Sequence, residues 1–227
     1  AHIYGVGDHS IAAVQAVQKL FVNIPYVEDA KEQIIFSLDH KLQAILCFTM
    51  LLHDCGKPSK RQTDEEGNDH FYGHAQESAV LAKKVLRRLK YDNYTIDTVT
   101  SLIQYHDYPL TTDKTGLRRA ANKIGVDLME LLFLVKEADA LAHAKDACES
   151  RLQSLYQAKE VYQEICKAND CLQLKDLAVT GKDLIEAGFE QGKLLGVILN
   201  QLLQHVLENP QDNKKELLLD IAKGLTN

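Results

Sequence analysis

Apolar residues recur at steps of three and four along almost the whole chain, and that spacing predicts helices. The segments that carry it run roughly from His9 to Val22, Val27 to Phe36, His40 to His53, Gly73 to Lys90, Ile96 to His106, Thr115 to Lys123, Leu128 to Ala144, Ala147 to Ala168, Lys182 to Glu186 and Gln191 to Glu208, with a short terminal helix near Lys214 to Lys223. No stretch alternates with a period of two, so strands are not expected. CGKP after His53 and YPL after Asp107 place glycine and proline where helices should stop. The pattern is that of an all-α protein.

A break falls near Lys145. Eight of the nine histidines precede it; after it come one long amphipathic helix and a segment of different character beginning LAVTGKDLIEAGF. Residues 1–145 read as a chemical domain and residues 146–227 as a helical appendage.

Polar residues interrupt the apolar stripes at informative places. Residues three and four apart share a helix face. On that rule His9 lines up with Ala13, Ala16 and Leu20, and His53 with Leu42, Leu46 and Thr49. His74 lines up with Ser78, Leu81 and Val85, His106 with Val99, Leu102 and Ile103, and Asp139 with Leu128, Leu131, Leu132 and Val135. Asp54 follows His53 where its helix is about to end. A lone histidine on an apolar face is usually a hydrogen-bonded core residue, and a lone aspartate can pair with arginine. Five such placements in one chain point instead to a shared cation, because an unpartnered buried carboxylate costs several kcal/mol. The donor set is nitrogen and oxygen, which suits Mn, Fe, Co, Ni or Zn and, with more water, Mg. Four ligands would hold one ion; six could hold two, ~3.5–4 Å apart in two-metal hydrolytic sites.

Composition narrows the setting. The 227 residues are 45% hydrophobic and 26% charged, as in ordinary globular chains, and the net charge of −6 argues against a surface that grips nucleic acid all over. Five cysteines without a CxxC pair suggest reduced thiols and a cytoplasmic protein. No apolar run is long enough to span a bilayer, so no membrane partner is expected. The start AHIYGVGDHS lacks the marks of a signal peptide and an initiator Met, and an upstream part of the chain is expected.

A His, then a His-Asp doublet, then a distant Asp is a pattern that resembles the HD superfamily of metal-dependent phosphohydrolases. Here it reads as His9 in GDHSIAAV, His53-Asp54 in LLHDCGKP and Asp139 in KEADALAHA. The Gly-Lys after the doublet is typical of that superfamily too. Its two further histidines, present in members with a binuclear site, match His74 in FYGHAQESA and His106 in IQYHDYP. The resemblance covers about residues 2–145. It implies a helical HD bundle, one or two divalent metals, and hydrolysis of a phosphoester of a nucleotide or RNA end by metal-activated water. FYGHAQESAVLA, LRRAANKIG, KEADALAHA and the later segment from AVTGKDL to KKELL are also similar to the HD region and following body of bacterial tRNA nucleotidyltransferases, the CCA-adding and poly(A) polymerase group. The Gly-Gly, Arg-Asp and paired-Asp signature of their nucleotide-adding head is absent from the chain. The resemblance therefore leaves two main readings, an active phosphohydrolase and a non-catalytic body that positions tRNA, with a nucleotide-sensing domain as a third.

Several residues support the first reading, each with a plainer alternative. Asp54 would be both a metal ligand and a member of the catalytic set. Lys57 could hold a substrate phosphate, or be a solvated loop lysine. Asp107 could orient a ligand or take a proton from the attacking water, or merely end a helix. Arg118 and Arg119 match a basic pair in the family and could bind phosphate, or face solvent. The run Lys83, Lys84, Arg87, Arg88, Lys90 reads as the wet side of a helix more readily than as an RNA contact. Gly192 and Gly196 are expected to allow close helix packing rather than to cradle phosphate. Cys55 reads as a small buried thiol rather than a nucleophile.

Overall fold

The computed structural model describes residues 5–22, 40–143 and 145–225. The helix expected from Val27 to Phe36 lies outside them. Within them the chain is all-α. The helices are α1 (Val6–Val22), α2 (His40–Leu52), α3 (Lys57–Lys60), α4 (His74–Arg88), α5 (Asn93–Tyr105), α6 (Lys114–Ile124), α7 (Val126–Leu141), α8 (Lys145–Lys167), α9 (Gly181–Glu186), α10 (Lys193–Glu208) and α11 (Lys215–Gly224). Two features depart from the sequence reading. Lys57–Lys60 forms a helical turn where a stop was expected, with proline near its start, a position that suits its fixed φ. Two strands, β1 (Gln62–Thr63) and β2 (Asp69–His70), form a small antiparallel hairpin pairing Gln62 with His70 and Thr63 with Asp69. Strands of two residues are too short to show any alternation.

The chain divides into two compact units, residues 1–109 with 127–156, and residues 110–126 with 157–227. This differs from the break expected near Lys145. Helix α6 belongs to the second unit although it precedes that point, and α8 contributes to both.

In the first unit α1 packs on α2, α2 on α5, α5 on α4, and α4 on the short α3. The fully buried residues Ala13, Val17, Ile45, Leu46, Met50, Val99, Leu102, Ile103, Leu132 and Val135 form its core. Each large aliphatic among them contributes ~1.5–3 kcal/mol by leaving water. Helix α5 starts at Asp92, whose side chain accepts from the Thr95 amide.

In the second unit α10 packs against α6, α9 and α11. Leu117, Ala121, Leu184, Leu202, Leu203, Val206 and Leu218 are buried there. Thr180 and Asp183 cap α9 reciprocally. A Cβ at Gly192 or Gly196 would meet nothing within 4 Å, so the close packing expected at these glycines is not found among the described residues. No helix of the described residues is long and apolar enough to cross a membrane. All five cysteines are free thiols.

Candidate metal centre

Six side chains singled out in the sequence meet inside the first unit. α1 supplies His9, the turn ending α2 supplies His53 and Asp54, the first residue of α4 is His74, His106 caps α5, and α7 carries Asp139. His9, His53, Asp54 and His106 are all buried. The stripes predicted for α1, α2, α5 and α7 face the core largely as expected. That of α4 is rotated: Ala75, Ser78, Ala79, Ala82 and Leu86 are buried while Val85 is exposed, which leaves His74 at the edge of the core rather than in it.

Gly56 explains how the doublet reaches α4. A Cβ there would lie 2.7 Å from both the His74 carbonyl oxygen and the Ser78 amide nitrogen, so only glycine lets the turn lie flat on the helix. Its own amide donates to Ser78 Oγ at 2.9 Å and fastens the contact.

Three histidines are oriented by one device. Nδ1 donates to the carbonyl three residues earlier: His53 to Met50 at 2.7 Å, His74 to Phe71 at 2.9 Å and His106 to Ile103 at 2.7 Å. A proton held at Nδ1 leaves the Nε2 lone pair for a metal, the usual way a carbonyl fixes the tautomer of a liganding histidine.

These Nε2 atoms converge on Asp54. Its Oδ2 lies 3.3 Å from His53 Nε2 and 3.9 Å from His9 Nε2. Its Oδ1 lies 3.4 Å from His74 Nε2 and 3.7 Å from His106 Nε2. One carboxylate thus turns an oxygen toward each of two histidine pairs. Asp139 Oδ1 completes the first group, 2.9 Å from His9 Nε2 and 3.4 Å from His53 Nε2. Two sets of donors, His9–His53–Asp54 and Asp54–His74–His106, each have ligand atoms within 4.8 Å of one another.

The residues fit a divalent cation. His53 Nε2 and Asp54 Oδ1 are buried without a hydrogen-bond partner, which is costly unless another group satisfies them. Burial pushes the Asp54 carboxyl up, but His53, His74 and Lys57 outweigh it and hold it well below the usual carboxylate range. Burial likewise opposes charge on Asp139, and His53 and His9 reverse the effect. Burial lowers His53, yet Asp139 and Asp54 raise it to about 9, so a cation entering here displaces a proton. His106 is pushed down, by burial first and then by the charge of His53, which keeps its ring neutral and able to ligate.

Lys57 is buried, not a solvated loop residue, and its Nζ donates to Asp54 Oδ2 at 2.6 Å. Asp107 is exposed and lines a cleft of about 360 Å³ with Lys57, Asp69, His70, Phe71, Tyr72, Gly73 and His74. Lys136 of α7 donates to the His106 carbonyl at 2.8 Å and ties that histidine to the helix bearing Asp139.

Arg118 and Arg119 are placed otherwise. Both belong to the second unit. Arg118 is buried, with Nε 2.6 Å from Asp170 Oδ2 and Nη1 3.5 Å from the Leu207 carbonyl; Arg119 pairs with Glu208. Their guanidinium groups serve carboxylates of their own unit, and the phosphate-binding role expected of them draws no support from this placement. Lys83, in the basic run of α4, pairs with Asp97 at 3.7 Å.

His143 was missed. It forms a third donor group with His9 and Asp139, and its Nδ1 donates to the Asp139 carbonyl at 2.7 Å. The signal was present in KEADALAHA, where His143 stands four residues after Asp139 and so on the same helical face.

The family model for tRNA nucleotidyltransferase domain 2 matches residues 61–222, a span that includes His74, His106 and Asp139 and begins just after the Asp54 turn. The CC-adding tRNA nucleotidyltransferase of Thermus thermophilus is 29% identical over 167 residues, 73% of this chain and 37% of that protein. The CCA-adding enzyme of Enterococcus faecalis is 42% identical over 144 residues, 62% of this chain and 31% of that protein. The chain therefore spans about a third of the length of these curated relatives.

Proposed function

The chain belongs to the tRNA nucleotidyltransferase domain 2 family, and from that premise we propose that it is a body region carrying its own metal-dependent phosphohydrolase centre of the HD type. The observation that carries the proposal is Asp54, placed with one oxygen toward each histidine pair, its own Oδ1 and the neighbouring His53 Nε2 both buried without a hydrogen-bond partner. Buried polar atoms in folded proteins are only rarely left unsatisfied.

One or two divalent ions, when bound, would acidify a water and neutralise charge on a phosphoryl oxygen. The protein's own groups supply the rest. His9, His53, Asp54 and Asp139 would hold one ion, and Asp54, His74 and His106 a second. Lys57 lies beside Asp54 and opens on the cleft, so its ammonium meets a phosphoryl oxygen entering there. Asp107 stands in the same cleft as an exposed carboxylate able to accept a proton from the attacking water. The substrate class is a phosphoester of a nucleotide or an RNA end, with tRNA as the wider partner named by the relatives. The free thiols support a reducing, cytoplasmic setting.

A second reading has its own support. The family match runs through the second unit, and the relatives are named a CC-adding tRNA nucleotidyltransferase and a CCA-adding enzyme. On this reading the chain positions tRNA and hydrolyses nothing.

The two readings separate in one preparation. Protein purified without added metal is assayed for metal content and for hydrolysis of bis-p-nitrophenyl phosphate, before and after addition of Mn, Co or Ni. The hydrolase reading expects bound transition metal and metal-dependent turnover, with Asp54→Ala losing both by about 100-fold or more, since even outer groups of a metal site are worth about 10–100-fold. Absence of metal and turnover, with salt-sensitive retention of tRNA in a gel, would establish the positioning role instead.

A further inference from the structure

Tyr72 is the most exposed of the large apolar side chains described, at 72%, yet its ring is held in place. It stacks on His70 with centroids 5.4 Å apart and planes within 4°. Its hydroxyl lies 3.4 Å from His70 Nδ1. The other ring nitrogen, His70 Nε2, is 2.8 Å from Asp64 Oδ2. Asp64 in turn accepts from the Asn68 amide at 2.7 Å and the Glu66 amide at 3.1 Å, which closes the tip of the hairpin. At the strand end Asp69 accepts from Thr63 Oγ1 at 2.7 Å and pairs with Arg61 at 2.8 Å. A chain of polar contacts thus runs from the hairpin to one aromatic ring standing in solvent.

That ring stands at the metal centre. Tyr72 and His70 line the same cleft as Lys57, His74 and Asp107. Gly73, at φ +76°, lets the backbone reverse between Tyr72 and His74, so the exposed ring and the candidate ligand open on one space. The cleft, at about 360 Å³, falls within the ~300–1,000 Å³ of small-ligand sites. A ring stacked on one side and exposed elsewhere, beside a phosphate-attracting lysine, matches the platforms on which proteins stack bases.

We propose that Tyr72, braced by His70, is a base-stacking platform that makes this centre selective for phosphoesters bearing a nucleobase. The inference rests on the hydrolase reading, because it needs a phosphate held near Lys57 and Asp54. It goes beyond that reading by assigning the base its own residue. The hairpin that the sequence did not disclose then acquires a role, since it fixes the bracing histidine.

The test uses metal-loaded protein and equilibrium binding of two non-hydrolysable phosphonates, the analogue of AMP and that of ribose 5-phosphate. The wild type should bind the adenosine compound about tenfold more tightly or better, in line with the worth of one base stack. Tyr72→Ala should remove that preference while keeping its affinity for the ribose compound and its metal content; Tyr72→Phe should retain the preference. A trinucleotide ending in a phosphonate serves as a further arm, and a Tyr72-dependent preference confined to it would place the base in an RNA end rather than a free nucleotide. Equal affinity for the two small phosphonates and the trinucleotide in the wild type, or a preference that survives Tyr72→Ala, would overturn the platform. So would binding of none of them; turnover of bis-p-nitrophenyl phosphate by the same sample would then leave the hydrolase reading standing without it.

Discussion

Two carboxylates shielded from water, a buried one in the first unit and a part-buried one in the second, meet basic neighbours in opposite ways. In the second unit Asp170 faces Arg118, and the guanidinium also reaches the Leu207 carbonyl. Both side chains are largely buried, at 8% and 13% exposure, and charge meets charge in a closed pair. In the first unit Asp54, at 2% exposure, faces four histidines and a lysine, and one of its oxygens still lacks a hydrogen-bond partner. More basic groups surround Asp54 than Asp170, yet it is the less satisfied of the two. The difference lies in geometry: Arg118 donates directly to its carboxylate, whereas His53, His74 and His106 spend their Nδ1–H groups on backbone carbonyls and present Nε2 to Asp54 at 3.3–3.7 Å. A buried carboxylate ringed by ring nitrogens that lack better partners is an arrangement for a cation.

The comparison can be broken first at Arg118. Arg118→Ala leaves Asp170 buried without its partner and should destabilise the protein by ~3–5 kcal/mol. Urea unfolding measures this, and the metal content of the folded variant should equal that of the wild type. A loss below about 1 kcal/mol would show that the pair is not structural and would return Arg118 to the candidates for phosphate binding.

Gly56→Ala should come next, at ~1–3 kcal/mol, because the new methyl meets backbone atoms of α4 that cannot swing aside. Here the two kinds of site predict different company for the stability loss. Moving the turn shifts Asp54 relative to His74, so metal affinity measured by equilibrium dialysis should fall together with stability. Unchanged affinity would mean that the two histidine groups do not share Asp54.

Much of this was visible in the sequence, for reasons that differ from part to part. The helices carry a strong 3.6-residue signal, and five of the six residues of the centre stand out because each interrupts an apolar face, with Asp54 marked by its neighbour His53. Arg118 was read by its basic neighbour Arg119, since Asp170 stands 52 residues away and Leu207 stands 89 away, distances at which pattern says nothing of contact. The hairpin escaped because its strands hold two residues each. His143 escaped for a different reason: its spacing from Asp139 was legible, but the helix had already been assigned its ligand.

A third carboxylate, exposed rather than buried, sharpens the contrast and should show the smallest effect. Asp92 caps α5, accepting from Thr95 Oγ1 at 2.8 Å and the Thr95 amide at 3.1 Å, and pairs with Lys41 at 3.2 Å, with about half of each charged side chain in solvent. The Thr95 hydroxyl, then its amide, bring the Asp92 carboxyl down to about 2. A carboxyl lowered on folding stabilises above its unfolded value, near about 3.9, and the contribution is lost as the pH falls through the folded value. Asp92→Ala should therefore lower the thermal midpoint at neutral pH by less than Gly56→Ala does. The gap from wild type should hold above pH ~4 and shrink toward pH ~2. Asp92→Asn, which keeps an oxygen for the Thr95 amide but no charge, should recover only the part of the gap that persists at the acid end. A gap that stayed constant down to the acid end would assign the loss to the helix cap alone, and charge would then distinguish Asp54 and Asp170 from Asp92 only where burial removes water from around it.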